Sequence, residues 1–288
     1  MRRLTSFAFF LLASILQAQE KACQIINPQG QAVPYVNIYS PRLQNGLVAG
    51  ADGRFFFQAS DFGADDTLVF SCIGYQTLKW QASQFNQLSP CQITLQPRTY
   101  ETATAEITEA PVSFKKRSAG VNTRWKLFQF GSGITHQNRA GEVGLFFPNT
   151  STCILEQVGF NIAHAQPDSV LLEVNIYEAV DSLPGRPLQQ ARIFTHAVAN
   201  QATVVDLSNT PVWVDGDFFV TLEFLHGRAE SKGIVLFKAK RKSRYLTLIR
   251  KANGTWEQEA KLSPAIHAKL KCISRSEERR VGKECPSP

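Results

Sequence analysis

The side chains with catalytic or metal-binding chemistry here are five histidines, six cysteines and a few paired carboxylates. A zinc hydrolase needs ligands at short spacing plus a distant one, leaving an open metal position. The histidines are His136, His164, His196, His226 and His267, and none has a Glu three residues on. Those positions hold Arg139, Pro167, Ala199, Ala229 and Leu270, and no H-E-x-x-H occurs. A serine elbow (G-x-S-x-G) and a phosphate loop are also missing. Gly131-Ser132-Gly133 is too short for either and reads as a loop. Asp65-Asp66 and Asp215/Asp217 offer oxygen ligands of the kind Ca²⁺ takes. They also precede strands, where turns favour Asp, and the turn reading is preferred. Cys72 lies in an apolar run, where a thiol is inert. The chain is therefore expected to be no enzyme, with no cofactor and no metal. The alternative is an enzyme with an unrecognised site in its second half.

Binding chemistry is better represented. Trp125, Tyr177, Trp213, Tyr245 and Trp256 fall in the second half. Exposed rings can stack on sugar faces. Tyr177 has the parity opposite to the apolar residues of its strand and should point outward. Trp256 follows Asn253-Gly254-Thr255 at a turn edge. These two are the candidate glycan contacts. The run K-A-K-R-K-S-R over 238–244 reads as an exposed loop after a strand. Its Lys238, Lys240 and Arg241 could meet an acidic polysaccharide or lipopolysaccharide phosphates. Lys115-Lys116-Arg117 reads as a solvated linker.

The elements that must carry these residues are short and alternating. Cys23–Ile26, the stretch through Val36 and Ile38, Arg54–Gln58, Thr67–Ile73, Gln76–Trp80 and Gln92–Leu95 read as strands. Asn27-Pro28-Gln29-Gly30, Asn45-Gly46 and Asp52-Gly53 are turns between them. Further on, Ile154, Val158, Phe160 and Ile162 share one parity. So do Val170, Leu172, Val174 and Ile176, and then Phe218, Val220, Leu222 and Phe224. No window keeps a 3.6-residue repeat. The expected fold is all-β, two tandem β-sandwiches: residues 19–97, a linker at 98–122 that can add one edge strand, and residues 123–273.

The first sandwich carries a resemblance. G-Q-A-V-P-Y-V-N-I-Y, A-D-G-R-F-F-F and D-D-T-L-V-F-S-C-I-G-Y follow one another between Gly30 and Tyr75. This spacing resembles the carboxypeptidase regulatory-like domain, a small transthyretin-like sandwich common on exported proteins of Bacteroidetes, over residues 22–97. The resemblance implies a fold and a compartment, not a reaction: in the enzymes the domain is an accessory. In the second half, V-N-I-Y-E, P-G-R-P-L, D-L-S and D-G-D-F-F-V-T-L-E-F resemble the jelly-roll-like sandwich found beside such domains, which carries no known chemistry.

Arg2, Arg3 and the apolar run Leu4–Leu16, followed by Gln17-Ala18, read as a secretory leader over 1–18. Lipidation at Cys23 is the rival reading, disfavoured by the charged Glu20-Lys21 before it. No other run is apolar for long enough to span a bilayer as a helix. Residues 274–288 are densely charged, resemble a translated sequencing adapter, and are read as a non-native tail. Leader and tail account for two and one of the seven net positive charges, leaving four. That mild balance does not argue for nucleic acid. In an oxidising compartment two pairings suggest themselves, Cys23–Cys91 and Cys153–Cys272, each joining the first and last strands of a sandwich. The alternative is that these cysteines are buried thiols. The expected protein is an exported binding or scaffold protein of the cell envelope, in the periplasm, on the outer-membrane surface or secreted. Its expected partner is a glycan or an envelope protein.

Overall fold

Alternating apolar residues form sheets when each strand can bury one face, and here that happens twice. The computed structural model describes residues 21–43, 46–57, 62–98, 113–125, 128–134, 141–225, 233–241, 243–259 and 261–274. The expected leader, and the tail from 275 onward, lie outside these residues.

The first unit contains β1 (Lys21–Ile26), β2 (Asn37–Tyr39), β3 (Gly46–Val48), β4 (Arg54–Phe57), β5 (Thr67–Ser71), β6 (Leu78–Gln81), one short helix α1 (Ala82–Asn86) and β7 (Gln92–Thr94). Two sheets, ordered β4-β1-β7 and β3-β2-β5-β6, face each other. Ile25, Val36, Ile38, Phe70 and Ile93 fill the space between them. Gly53 adopts φ +70°, and a Cβ there would lie 2.6 Å from the Ile25 carbonyl oxygen. Only glycine permits both the turn and the close approach.

The second unit contains β8 (Phe114–Gly120), β9 (Phe128–Ile134), β10 (Glu142–Phe147), β11 (Cys153–Gln166), β12 (Ser169–Val180), β13 (Leu183–Pro187), β14 (Ile193–Val198), β15 (Ala202–Asp206), β16 (Val212–Val214), β17 (Phe218–Phe224), β18 (Gly233–Arg241), β19 (Thr247–Arg250), β20 (Trp256–Glu259), β21 (Leu262–Pro264) and β22 (Ile266–Ile273). One sheet runs β13-β12-β17-β10-β19-β20, with β14 also on β12; the other runs β21-β18-β11-β22-β8, with β15 and β16 on β11 and β9 on β18. Leu172, Val174, Ile176, Val220 and Leu222 of the first meet Leu155, Val158, Phe160, Phe237 and Leu270 of the second in a separate core. Two cores and four sheets make two tandem β-sandwiches.

The stretch 98–122, read as a linker with room for one edge strand, contains β8, which pairs with β22 at the edge of the second sandwich. Two local readings change. Ser274, placed in the tail, is buried and donates its amide to Ser113 O at 3.0 Å. In β11 a bulge between Leu155 and Gln157 resets the alternation. It buries Leu155 and leaves Ile154 partly exposed. A bulge adds one residue on one strand only, so a strict period of two cannot run through it.

The two disulfides join Cys23 to Cys91 and Cys153 to Cys272, leaving Cys72 as the free cysteine among the described residues.

Candidate functional site

The sheet around β17 is covered on both faces. On its face away from the core, register brings three carboxylates into one row. Glu142 of β10 pairs with Glu223 of β17, which pairs with Glu173 of β12. Beyond Glu142 the row continues to Arg250 of β19 and Trp256 of β20. Like charges on neighbouring strands repel, and here they are also dry: Glu142, Glu173 and Glu223 are 1%, 1% and 5% exposed.

Two guanidinium groups answer the two outer carboxylates. Arg250 donates to Glu142 Oε2 at 2.9 Å, and Glu142 Oε1 takes further bonds from Thr221 Oγ1 and Asn175 Nδ2. Arg192 grips Glu173 with a two-pronged fork, at 2.7 and 2.5 Å. Among the described residues no guanidinium bonds to the middle carboxyl. Asn37 Nδ2 donates to its Oε1, and Asn175 Nδ2 reaches its Oε2 at 3.3 Å. Burial, then the charge on Glu142, pushes Glu223 up to about 7, against the pull of Arg250. Burial also raises Glu173, opposed by Arg192.

The cover over this row is the first sandwich. Asn37 belongs to β2. Arg192 also donates to Pro34 O at 2.5 Å and Tyr35 O at 3.3 Å. The Tyr35 ring lies edge-on to Phe194 at 5.6 Å, with the Arg192 guanidinium 4.8 Å from the Phe194 centroid. Tyr35 adopts φ +52°, an uncommon conformation for a bulky residue. Tyr39 lies against Gly254, where a Cβ would stand 2.6 Å from its ring.

Beside this junction a cleft of about 480 Å³ is lined by Tyr39, Tyr75 and Arg98 from one unit and by Tyr177, Arg186 and Trp256 from the other. The structure thus brings Tyr177 and Trp256 together, ring centroids 6.5 Å apart and edge to face. It does not leave them exposed as expected. Both are half-buried, because the outward face of their sheet carries the first sandwich.

The basic run lies elsewhere. Lys238 was expected in an exposed loop, but β18 extends through Arg241 and Lys238 is 8% exposed. The alternation Phe237, Ala239 continues the strand's core face, so K-A-K-R is strand rather than loop. Lys240 and Arg241 do reach the surface. With Arg244, Tyr245, Phe128 and Trp125 they line a groove of about 790 Å³, and none of its described lining residues is acidic. Trp125 is 81% exposed. Arg244 lies 5.2 Å from the Tyr245 ring centroid and donates to its hydroxyl at 3.2 Å. A bare indole face beside several cations suits a ligand with flat apolar patches and negative charge.

The remaining candidates serve structure. Gly131-Ser132-Gly133 lies within β9, not in a loop. Asp66 pairs with Arg42 at 2.5 Å and accepts the Gly63 amide. Asp215 and Asp217 accept bonds from Thr152 and the Asn149 amide. Among the described residues no three His, Cys, Asp or Glu side chains gather where a metal could sit. Burial pushes the Cys72 thiol up to about 12. Two features escaped the sequence reading. Trp125 was noted as an aromatic without a surface. The glutamates stood singly in three apolar strands, and only register makes them a row.

Residues 24–123 match the family model of the CarboxypepD_reg-like domain, and a further β-rich region follows. No curated protein matches the chain. Among solved structures, the cysteine protease and lectin-like domains of Cwp84, a surface-layer-associated protein of Clostridium difficile, align over 55% of this chain and 36% of that one. Identity there is 13% and the TM-score 0.40. A clostridial Cwp84 after propeptide cleavage aligns over 87% and 70%, at 11% identity and a TM-score of 0.39. A structure of infectious bursal disease virus, Gx strain, aligns over 91% and 65%, at 10% identity and a TM-score of 0.23. This chain spans little more than a third of the first of these. At such scores no function is carried across.

Proposed function

We propose that this is an exported, non-catalytic binding protein of the cell envelope, and that it captures an acidic glycan in the groove beside Trp125. The observation that carries the reading is the exposed Trp125 indole next to Lys240, Arg241 and Arg244 in a groove without described acidic residues. A sugar ring can stack on the indole while a carboxylate or sulfate meets the cations. Export is supported by two disulfides, which persist in oxidising compartments. No helix among the described residues is long and apolar enough to cross a membrane.

The test is affinity electrophoresis of the folded protein through gels holding neutral or uronate-bearing polysaccharides. Retention by the acidic gels is expected, weakening as salt rises. Trp125→Ala should weaken it about tenfold, the loss of one stacking contact of ~1.4 kcal/mol. Trp256→Ala should leave it unchanged. Loss with Trp256→Ala instead would move the site to the junction cleft. Absence of retention on every gel would sink the glycan reading.

A further inference from the structure

Among the described residues the row of three glutamates has one carboxyl more than it has guanidinium groups, and the hydrogen bonds say which carboxyl is left over. Glu142 receives Arg250, Thr221 and Asn175. Glu173 receives both prongs of Arg192. Among the described residues Glu223 receives two amides, one of them long. A buried carboxylate served so thinly is costly, and the proton settles where charge is least supported.

A second observation points to the same atom. Asn37 gives its Nδ2 to Glu223, yet its buried Oδ1 accepts no hydrogen bond from the described residues. An unsatisfied buried acceptor beside a carboxyl is explained by a donor that the heavy atoms do not display. A protonated Glu223 would supply such a donor, with Asn37 Nδ2–H going to one carboxyl oxygen and Glu223 O–H to Asn37 Oδ1.

We propose that Glu223 carries a proton when the two sandwiches are docked, so that the junction is a proton-dependent latch that loosens as the carboxyl ionises. Asn37 reaches from the first sandwich and Glu223 lies on the second, so the shared proton bridges the units. The groups facing Glu223 are Glu142 and Arg250 on one side, Glu173 and Arg192 on the other, Tyr177 along the sheet, and Cys72 from the covering unit, whose Tyr39 faces Arg250. In this set two fixed cations face three carboxyls, and neutrality is reached when one carboxyl is protonated.

The sign follows from linkage. Undocked, Glu223 meets water and ionises near 4.5, the ordinary value; docked, it does so near 7. Docking therefore takes up a proton between those values. Its contribution is full below about pH 4.5, falls by up to tenfold in the docking constant per pH unit, and is flat above about pH 7. Replacing the acid by its amide keeps both hydrogen bonds and removes the titration.

The experiment uses the full mature chain. Its unfolding equilibrium is measured by denaturant at several pH values from about 4.5 to 8, for the natural protein and for Glu223→Gln. The same samples are titrated by infrared spectroscopy, which sees a protonated carboxyl directly. The natural protein should keep one protonated-carboxyl band at about pH 6 that disappears with a midpoint near 7, and Glu223→Gln should lack it. The folding constant of the variant should fall with pH by one proton less than that of the natural protein. Equal slopes, or a band that survives Glu223→Gln, overturns the assignment. The infrared titration of the natural protein stands alone if the variant fails to fold: no acid band at about pH 6 also overturns it.

Discussion

At the residue scale, the energetics concentrate on a few desolvated charges. Arg192 holds Glu173 in a fork and caps two carbonyls of the covering unit, with its side chain 14% exposed. Removing one partner of such a pair strands the other without water. Arg192→Met should therefore destabilise the protein by about 3 kcal/mol. The double variant Arg192→Met with Glu173→Gln should recover a good part of that loss. A denaturant-melt double-mutant cycle measures it, and additive losses would show that the two side chains do not depend on each other. Cys72 offers a second check. Its thiol is raised from 9.0 to about 12, so near pH 8 its thiolate population is lowered roughly a thousandfold. Alkylation of the folded protein should be slower by that factor than after denaturation. Rapid labelling would mean that burial does not hold the thiol protonated there.

At the element scale, strand register decides what the residues become. Cys153 and Cys272 are direct partners across β11 and β22, and their disulfide closes a loop with sequence separation 119. Cys153→Ala with Cys272→Ala should lower stability by ~2–4 kcal/mol, chiefly by freeing the unfolded chain. Equal unfolding midpoints with and without the bridge would show that the second core suffices by itself. The inward faces of β12 and β17 were legible from alternation: Leu172, Val174, Ile176, Phe218, Val220 and Leu222 are all buried. The bulge in β11 was not, since an extra residue leaves no signature in the order of apolar side chains. Nor was the end of β18, where lysines at strand parity read as a loop.

At the scale of the molecule, the junction makes two sandwiches into one body. Gly254 at φ +81° lets Tyr39 of the covering unit approach where any Cβ would collide. Gly254→Val should disturb the docking while leaving both cores intact. Calorimetry should then show two separate transitions in place of a single cooperative one. One unsplit transition at the original temperature would mean that the contact at Gly254 is dispensable.

The sequence by itself determined the all-β class, the number of cores and the inward parity of the long strands. These follow from local alternation and turn chemistry, which act over a few residues. It also gave Tyr177 its correct side of the sheet. Only the tertiary structure decided what lies against that side. Glu142, Glu173 and Glu223 are far apart in the chain, and each alone reads as a solvated surface charge. They become a buried row because three strands align in register and a second sandwich excludes water from them. The same holds for Trp125, whose surroundings of Lys240, Arg241 and Arg244 come from a distant strand and turn. Periodicity reports which face a side chain takes; burial and charge balance depend on the neighbours that folding brings to that face.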